Sequence, residues 1–405
     1  MITAQVRYML GITVDAMGSG MYVPLSLLYF HQLTGMPLEQ VGVIMSAGAL
    51  LALVSNPIAG VLVDRYGART VVVGGYFVRA AGFFCYPFVD SPVPMFLAVA
   101  LVALGDGSFP PAIQSFVAEI AQGDSRDKLL AAQRSLRNAG LGAGGLIAGA
   151  ALALGSDAAY QVIVVVSGIA YLAAAGFIGT IPSTHIATPK AERVRGGYRE
   201  VFRNRTFLAL TLANVPTAFG YMVLAVSLPV YITQQLGASS SLVGVLYAVN
   251  TVGIALLQIP VTRMLTRYRR TRMAALGAAV FSVSFLAFVL LGVFSTGAVL
   301  MTGIFAATAL FTAGELLHGA TASALVASAA PEATRGRHLS VYQLSWAIPI
   351  ALAPALLTAL LTWSAVGMWV LLAAGVAGSA LAMLKLEPRL PEAAVRSRLS
   401  LIPSE

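Results

Sequence analysis

Four ionisable side chains stand inside long apolar runs of this chain: Asp15, Arg79, Asp106 and Glu315, with His318 one helical turn beyond the last. Left facing hydrocarbon, each charge would cost about 2.5–3.5 kcal/mol, so each is expected to face a partner or water. A carboxylate at that depth suits two kinds of work, pairing with a fixed cation or taking up and releasing a proton. By the rise per residue, Arg79 and Asp106 sit at comparable depth on successive antiparallel helices, which predicts an ion pair between them. That pair would keep Asp106 ionised and a poor proton carrier, or else be purely structural. Pro110 removes an amide and frees the carbonyl of Asp106, so a kink is expected where the charge sits. Glu315 has one basic neighbour on its own helix face, His318. Glu315 is the first candidate for proton coupling, with His318 as relay or tuning partner; the alternative is a bond to loose backbone or across to the next span. Asp15, in Val14-Asp15-Ala-Met-Gly18-Ser-Gly20, is expected to meet substrate or proton from the inner side, or to pack among small residues.

Tyr22, Tyr29, Phe109, Tyr221, Tyr247, Phe311 and Trp346 also fall within the apolar runs. They offer stacking surface with few fixed polar groups beside it, which favours an apolar or amphipathic ligand over a sugar, unless they simply fill a helix bundle. Other chemistries lack their residues. There is no G-x-x-x-x-G-K-(S/T) phosphate loop, no H-E-x-x-H and no G-x-S-x-G, and Cys85 is the single cysteine. ATP hydrolysis through a phosphate loop, zinc or serine hydrolysis and disulfide chemistry are therefore not expected. Neither is a metal, another cofactor or an enzymatic role.

The elements that must position these groups are membrane helices. The 405 residues are 58% hydrophobic and 10% charged, and the mean hydropathy of +0.83 is that of a chain solvated mostly by lipid. Of the 25 basic side chains, all but Arg79 fall in seven short stretches that alternate with base-free loops: Arg7; Arg65 and Arg69; Arg126 to Arg137; Lys190 to Arg205; Arg263 to Arg272; Arg335 and Arg337; Lys385 to Arg398. Basic loops stay on the cytoplasmic side, so seven of them imply twelve crossings with both ends inside. Glu39, Asp90 and Asp157 fall in the outer loops. The net charge of +9 is spread over loops that face anionic lipid, which argues against a nucleic-acid partner. The first apolar run carries Asp15 and continues to about residue 32, so it reads as a span and not a cleaved leader.

Shifting the chain by 202 positions places Gly18 on Gly220, Tyr29 on Tyr231, Gly35 on Gly237, Val41-Gly42-Val43 on Val243-Gly244-Val245, Arg65-Tyr66 on Arg267-Tyr268 and Gly75 on Gly277. A shift of 209 places Gly105-Asp106 on Gly314-Glu315. The expected fold is an all-α membrane protein of twelve transmembrane helices in two pseudo-symmetric six-helix bundles, residues 1–182 and 206–386. A cytoplasmic linker, 183–205, and a cytoplasmic tail, 387–405, complete it. Within the linker, 192–204 reads either as a short interfacial helix or as a plain connector.

After the second span stands Gly60-Val-Leu-Val-Asp64-Arg65-Tyr66-Gly67-Ala68-Arg69, which resembles the G-x-x-x-D-(R/K)-x-G-(R/K)-(R/K) signature of the major facilitator superfamily, with Ala68 in place of one basic residue. Span five carries Asn138-Ala-Gly140-Leu-Gly142-Ala-Gly144-Gly145-Leu-Ile-Ala148-Gly149, similar to the g-x-x-x-G-P-x-x-G-G element of its drug/proton antiporters, with Gly145 for the proline and Ala148 for one glycine. Gly140 and Gly144 also form a G-x-x-x-G packing face. The 209 shift sets Pro354 against Gly145. Ala330-Pro331-Glu332-Ala-Thr-Arg335-Gly336-Arg337 resembles a segment common in bacterial efflux members of the superfamily.

The resemblance implies that spans one, four, seven and ten line a central cavity, and Asp15, Asp106 and Glu315 lie on three of them. It implies that Asp64 and the arginines after it hold the two halves in the outward-facing state. Antiporters of the superfamily often carry an arginine in span four; this span has none, and Arg79 on the neighbouring helix is expected to substitute. The function expected is proton-coupled efflux of a small hydrophobic or amphipathic compound by a monomer in the cell membrane, with protons and lipid as its other partners. Proton-coupled uptake, or a transport-inactive sensor, are the alternatives.

Overall fold

Apolar side chains around the whole circumference of a helix leave lipid or another helix as the only favourable neighbours, and this chain meets both. The computed structural model describes residues 3–121, 124–153, 158–182, 198–294, 296–331 and 334–396, and among them every regular element is helical. The first half runs α1 (Ala4–Tyr22), α2 (Ser26–Thr34), α3 (Leu38–Tyr66), α4 (Ala68–Cys85), α5 (Pro92–Ile120), α6 (Asp124–Ala153) and α7 (Ala159–Gly179). After α8 (Tyr198–Arg203) come α9 (Arg205–Met222), α10 (Ser227–Val230), α11 (Ser240–Leu265), α12 (Arg270–Phe294), α13 (Gly297–Ala329), α14 (Arg335–Trp363), α15 (Ala365–Leu386) and α16 (Glu392–Val395). A 3-10 turn at Pro24 interrupts the first long segment between α1 and α2, and the turn between α9 and α10 interrupts its counterpart in the second half.

Ten helical segments among the described residues are long and apolar enough to cross a membrane. The two long segments outside that set are α1 with α2, which carries Asp15 among Gly11, Gly18 and Gly20, and α6, whose first half carries Arg126, Arg134 and Arg137. Polar content removes them, not length. The arginines expected in a loop therefore belong to a helix that begins at Asp124. Arg335 and Arg337 likewise lie within α14. Of the linker, 183–197 lies outside the described residues, as do Asp157, Glu332 and 397–405 of the tail.

The chain divides into two compact units. The first comprises Met1–Ala191, Leu224–Val252 and Ala351–Ala359. In it α1 packs on α6 and α7, α4 on α5 and α7, and α3 on α5. The glycine element of α6 has two working faces. A Cβ on Gly140 would lie 2.8 Å from the Thr13 carbonyl oxygen, and one on Gly144 2.8 Å from the Met21 amide, so this face seats α1 by direct backbone approach. Gly145 and Gly149 instead face α11, where a Cβ would lie 2.9 Å from the Gly244 carbonyl oxygen and 2.8 Å from that of Ser241. Pro354 packs its carbonyl on Gly42, and the Ala355 amide beside it donates to Ser46 Oγ at 2.9 Å.

At the turn ending α3, Gly67 has φ of 83°, a value that side-chain-bearing residues rarely adopt. Gly60, the first residue of the signature, makes no close helix approach: a Cβ there would meet nothing within 4 Å. Asp64 and Arg65 are exposed, with the Arg65 guanidinium 5.3 Å from the Tyr66 ring. Arg69 donates to the Ile181 carbonyl at 2.8 Å and Arg7 to that of Thr180 at 2.8 Å, so two cations close the carbonyl end of α7.

The second unit comprises Glu192–Val223, Gly253–Ile350 and Leu360–Glu405. Here α12 packs on α13 and α15, and α9 on α15. Gly277 of α12 and Gly314 of α13 make the same backbone approach that Gly75 of α4 and Gly105 of α5 make in the first unit, which is the internal repeat seen as geometry. Residues 387–395 fold back onto this unit. Glu387 contacts Arg269 at 2.5 Å, Arg272 at 3.5 Å and the Thr271 hydroxyl, and Arg270 donates to the Ala394 carbonyl at 3.1 Å. Glu387→Ala should therefore lower stability by about 1–3 kcal/mol, since charge-assisted bonds are lost while the arginines remain; thermal unfolding in detergent reads it, and an unchanged midpoint would make the clasp idle.

Candidate functional site

The charged residues of the first unit converge on Arg79. Its Nη1 lies 2.8 Å from Asp15 Oδ1, its Nε 2.8 Å from Asp106 Oδ1, and its Nη2 donates to Ser19 Oγ at 3.3 Å. Below the guanidinium lies the Tyr171 ring, 4.0 Å from its centre, and the Tyr171 hydroxyl is 3.1 Å from Ser19 Oγ. Arg137 approaches the other oxygen of Asp15 at 3.3 Å. Four helices supply this cluster: α1 gives Asp15 and Ser19, α4 gives Arg79, α5 gives Asp106 and α6 gives Arg137. Gly105 makes room for it, because Arg79 Cγ occupies the place a Cβ would take there.

The pair expected between Arg79 and Asp106 is present, and Asp15, expected either to meet substrate or proton or to pack among small residues, lies against Arg79 and Arg137. Its side chain is 0% exposed, sealed behind two arginines, whereas that of Asp106 is 50% exposed. Asp106 opens onto a cavity of about 780 Å³ in the first unit. That volume lies within the range of small-molecule pockets, about 300–1,000 Å³. Part of the lining is a stripe of α5, Asp106, Phe109, Pro110, Ile113 and Gln114; another part is a stripe of α6, Arg126, Leu130, Gln133, Arg134, Arg137 and Leu141. Both sets recur at intervals of three and four residues, so each is one helix face. Gln133 is held in place by the Tyr8 hydroxyl at 2.7 Å.

Of the seven aromatic candidates, Phe109 and Tyr247 line this cavity. Tyr22 and Tyr29 do not: they pack with Phe30, Phe83 and Tyr86 into a ring cluster, with Tyr22 4.7 Å from Phe83 and Tyr29 5.2 Å from Phe30. Phe311 is buried against Phe281 in the second unit, with centroids 4.9 Å apart, so its role is packing. Tyr221 and Trp346 meet there too, at 5.0 Å.

In that second unit the Tyr221 hydroxyl lies 3.2 Å from His318 Nδ1 and donates to the Glu315 carbonyl at 3.2 Å. In these two bonds Tyr221, expected only as stacking surface, meets the backbone carbonyl of Glu315, not its carboxyl, and the ring of His318. The repeat shows what was exchanged between the units: Phe281 packs on Gly314 as Arg79 packs on Gly105, and His318 stands where Phe109 stands. Arg126, Gln133, Arg134 and Arg137 were missed as site residues because a basic stretch reads as a loop anchor. Their spacing on a single helix face was the signal.

Apolar helices of membrane-crossing length with a ligand-sized cavity in the first unit are the parts a transport protein needs. The chain belongs to the Major Facilitator Superfamily, whose family model matches it twice, over residues 8–216 and 210–402. It is similar to the multidrug resistance protein MdtH of Edwardsiella ictaluri (strain 93-146), 27% identical over 334 residues, covering 81% of this chain and 79% of that one. It is also similar to a Na(+), Li(+), K(+)/H(+) antiporter of Planococcus maritimus, 21% identical over 364 residues, covering 82% and 84%. Among solved structures the fold matches the nucleoside transporter NupG with a TM-score of 0.82 at 11% identity, covering 95% of this chain and 100% of that one. It matches a peptide transporter POT in complex with alafosfalin with a TM-score of 0.79 at 16% identity, covering 97% and 96%.

Proposed function

We propose that this protein is a secondary active exporter that exchanges a small amphipathic compound for protons across the cell membrane. In this reading it works as a monomer, with both ends cytoplasmic, by alternating access between the halves 1–182 and 206–386. The observation that carries the reading is the Asp15–Arg79–Asp106 network opening through Asp106 onto the cavity. A buried charge cluster is generally no more stable than apolar packing of the same shape. Partly exposed to a wet cavity, it instead supplies groups whose pairing changes when a proton or a charged ligand arrives. Similarity to a multidrug resistance protein and to a cation/proton antiporter supports export and proton exchange.

Glu315 is proposed as the proton carrier, with Tyr221 bonding its backbone carbonyl and the ring of His318 one helical turn on. It is the repeat mate of Asp106, so both halves present an acid at the same helical position. The test is reconstitution in liposomes with a fluorescent amphiphile. Glu315→Gln should reduce uptake driven by a pH gradient at least about tenfold while substrate–substrate counterflow persists, because only the proton-carrying step is removed. Undiminished gradient-driven flux would take Glu315 out of the mechanism.

A further inference from the structure

Charge on the cavity wall is strongly unbalanced. Four guanidinium groups, those of Arg79, Arg126, Arg134 and Arg137, face it together with one carboxylate, Asp106, and Asp15 lies behind them. Arg79 is engaged by both acids and Arg137 by Asp15. Arg126 and Arg134 make no ion pair among the described residues. They are exposed, one helical turn and more from the Asp15 cluster, on the same face of α6. Guanidinium carries its charge at any physiological pH, offers a planar fork of donors and accepts nothing, so a wall bearing two uncommitted forks fits a ligand that accepts hydrogen bonds and carries negative charge. Phe109, Pro110 and Ile113 of α5 add apolar surface to the lining.

We propose that this cavity receives an anionic amphiphile, a compound with a carboxylate group on an apolar body. Arg126 and Arg134 bind the oxyanion, and the apolar body lies along Phe109, Pro110 and Ile113. Asp106 faces the same space and disfavours a second negative charge there, so monoanions are preferred over dianions. The proposal rests on the transport reading and sharpens it, replacing an unspecified amphipathic cargo by one of defined sign. A cationic amphiphile would meet Arg126 and Arg134, with Asp106, the one acid among the described lining residues, already held by Arg79, a contact that favours rejection.

The experiment is direct binding to the purified full chain in a neutral detergent, with three probes that share one ring system: naphthoate, the neutral naphthamide and the cationic naphthylmethylamine. Naphthoate is expected to bind at least about tenfold more tightly than naphthamide, the margin falling as salt is raised, and naphthylmethylamine more weakly than either. Arg126→Ala with Arg134→Ala should bring naphthoate down to the affinity of naphthamide and leave naphthamide unchanged. Both residues are exposed, and an unchanged unfolding midpoint confirms that the fold is kept. Equal affinity for naphthoate and naphthamide, preference for the amine, or anion preference surviving the double substitution would each overturn the proposal. Counterflow in liposomes separates this from the transport reading. Naphthoate binding without any flux keeps the receptor and removes transport; flux of the amine or amide but not of naphthoate keeps transport and removes the receptor.

Discussion

Arg79→Ala should cost about 3–5 kcal/mol of stability, because it leaves two carboxylates inside the first unit with their common cation removed. Asp15 is the reason the effect is large. Its side chain has no exposure, so it cannot recover water when the guanidinium goes, and Arg137 at 3.3 Å is its one other cation among the described ion pairs. The loss is read as a lowered unfolding midpoint in detergent and as reduced yield of folded protein. Asp106→Asn added to Arg79→Ala should restore part of it, since one of the two stranded charges is then removed; Asp15→Asn should restore more, being the more deeply buried. Arg79→Lys should not substitute. A single ammonium cannot reach Asp15, Asp106 and Ser19 together while stacking on Tyr171. Independent, additive losses in these combinations would mean that the three groups do not act as one network.

The second large effect is steric. Gly144→Val should destabilise the first unit by at least the ~1–3 kcal/mol of an overpacked core. The new side chain would run into the backbone of α1 at Met17 and Met21, and backbone has no rotamer to change. Separation of α1 from α6 would also displace Asp15 from Arg79 and Arg137, so transport should fall together with stability. Gly74→Ala supplies the control, on α4, where a Cβ meets nothing within 4 Å. There the substitution should be neutral or stabilising by up to about 1 kcal/mol, through helix propensity alone. If thermal unfolding found the two variants alike, the close seat of α6 on α1 would be no part of what holds the unit together.

How much of this was legible beforehand differs from residue to residue. The ion pair between Arg79 and Asp106 followed from helical rise, since two charges on adjacent helices whose depths differ by no more than long side chains can span have few other solutions. The inclusion of Asp15 did not follow, because which face of α1 meets α4 depends on how Gly140 and Gly144 seat α6 against it. The aromatic candidates divided for a similar reason. Phe109 and Tyr247 reach the cavity, whereas Tyr22 and Tyr29 join a ring cluster, and nothing in their sequence surroundings tells a lining ring from a packing one.

The glycines of the α3–α4 turn show the limit from the other side. Gly67 stands where its type demands, at a positive φ, while Gly60 meets no neighbour at all. The basic stretch of α6 was read as a loop by charge alone, yet three of its arginines lie on one helical face and turn it into a cavity wall.

The linear pattern alone determined that this is a helical membrane protein built on a repeat, because hydrocarbon thickness, the charge of loops and duplicated glycines all leave local marks in composition and spacing. Only tertiary structure decided which charges share a partner, which acid meets water and which arginines are left to meet a ligand. Those outcomes depend on rotation of each helix about its own axis, and that rotation is set by contacts between segments more than a hundred residues apart.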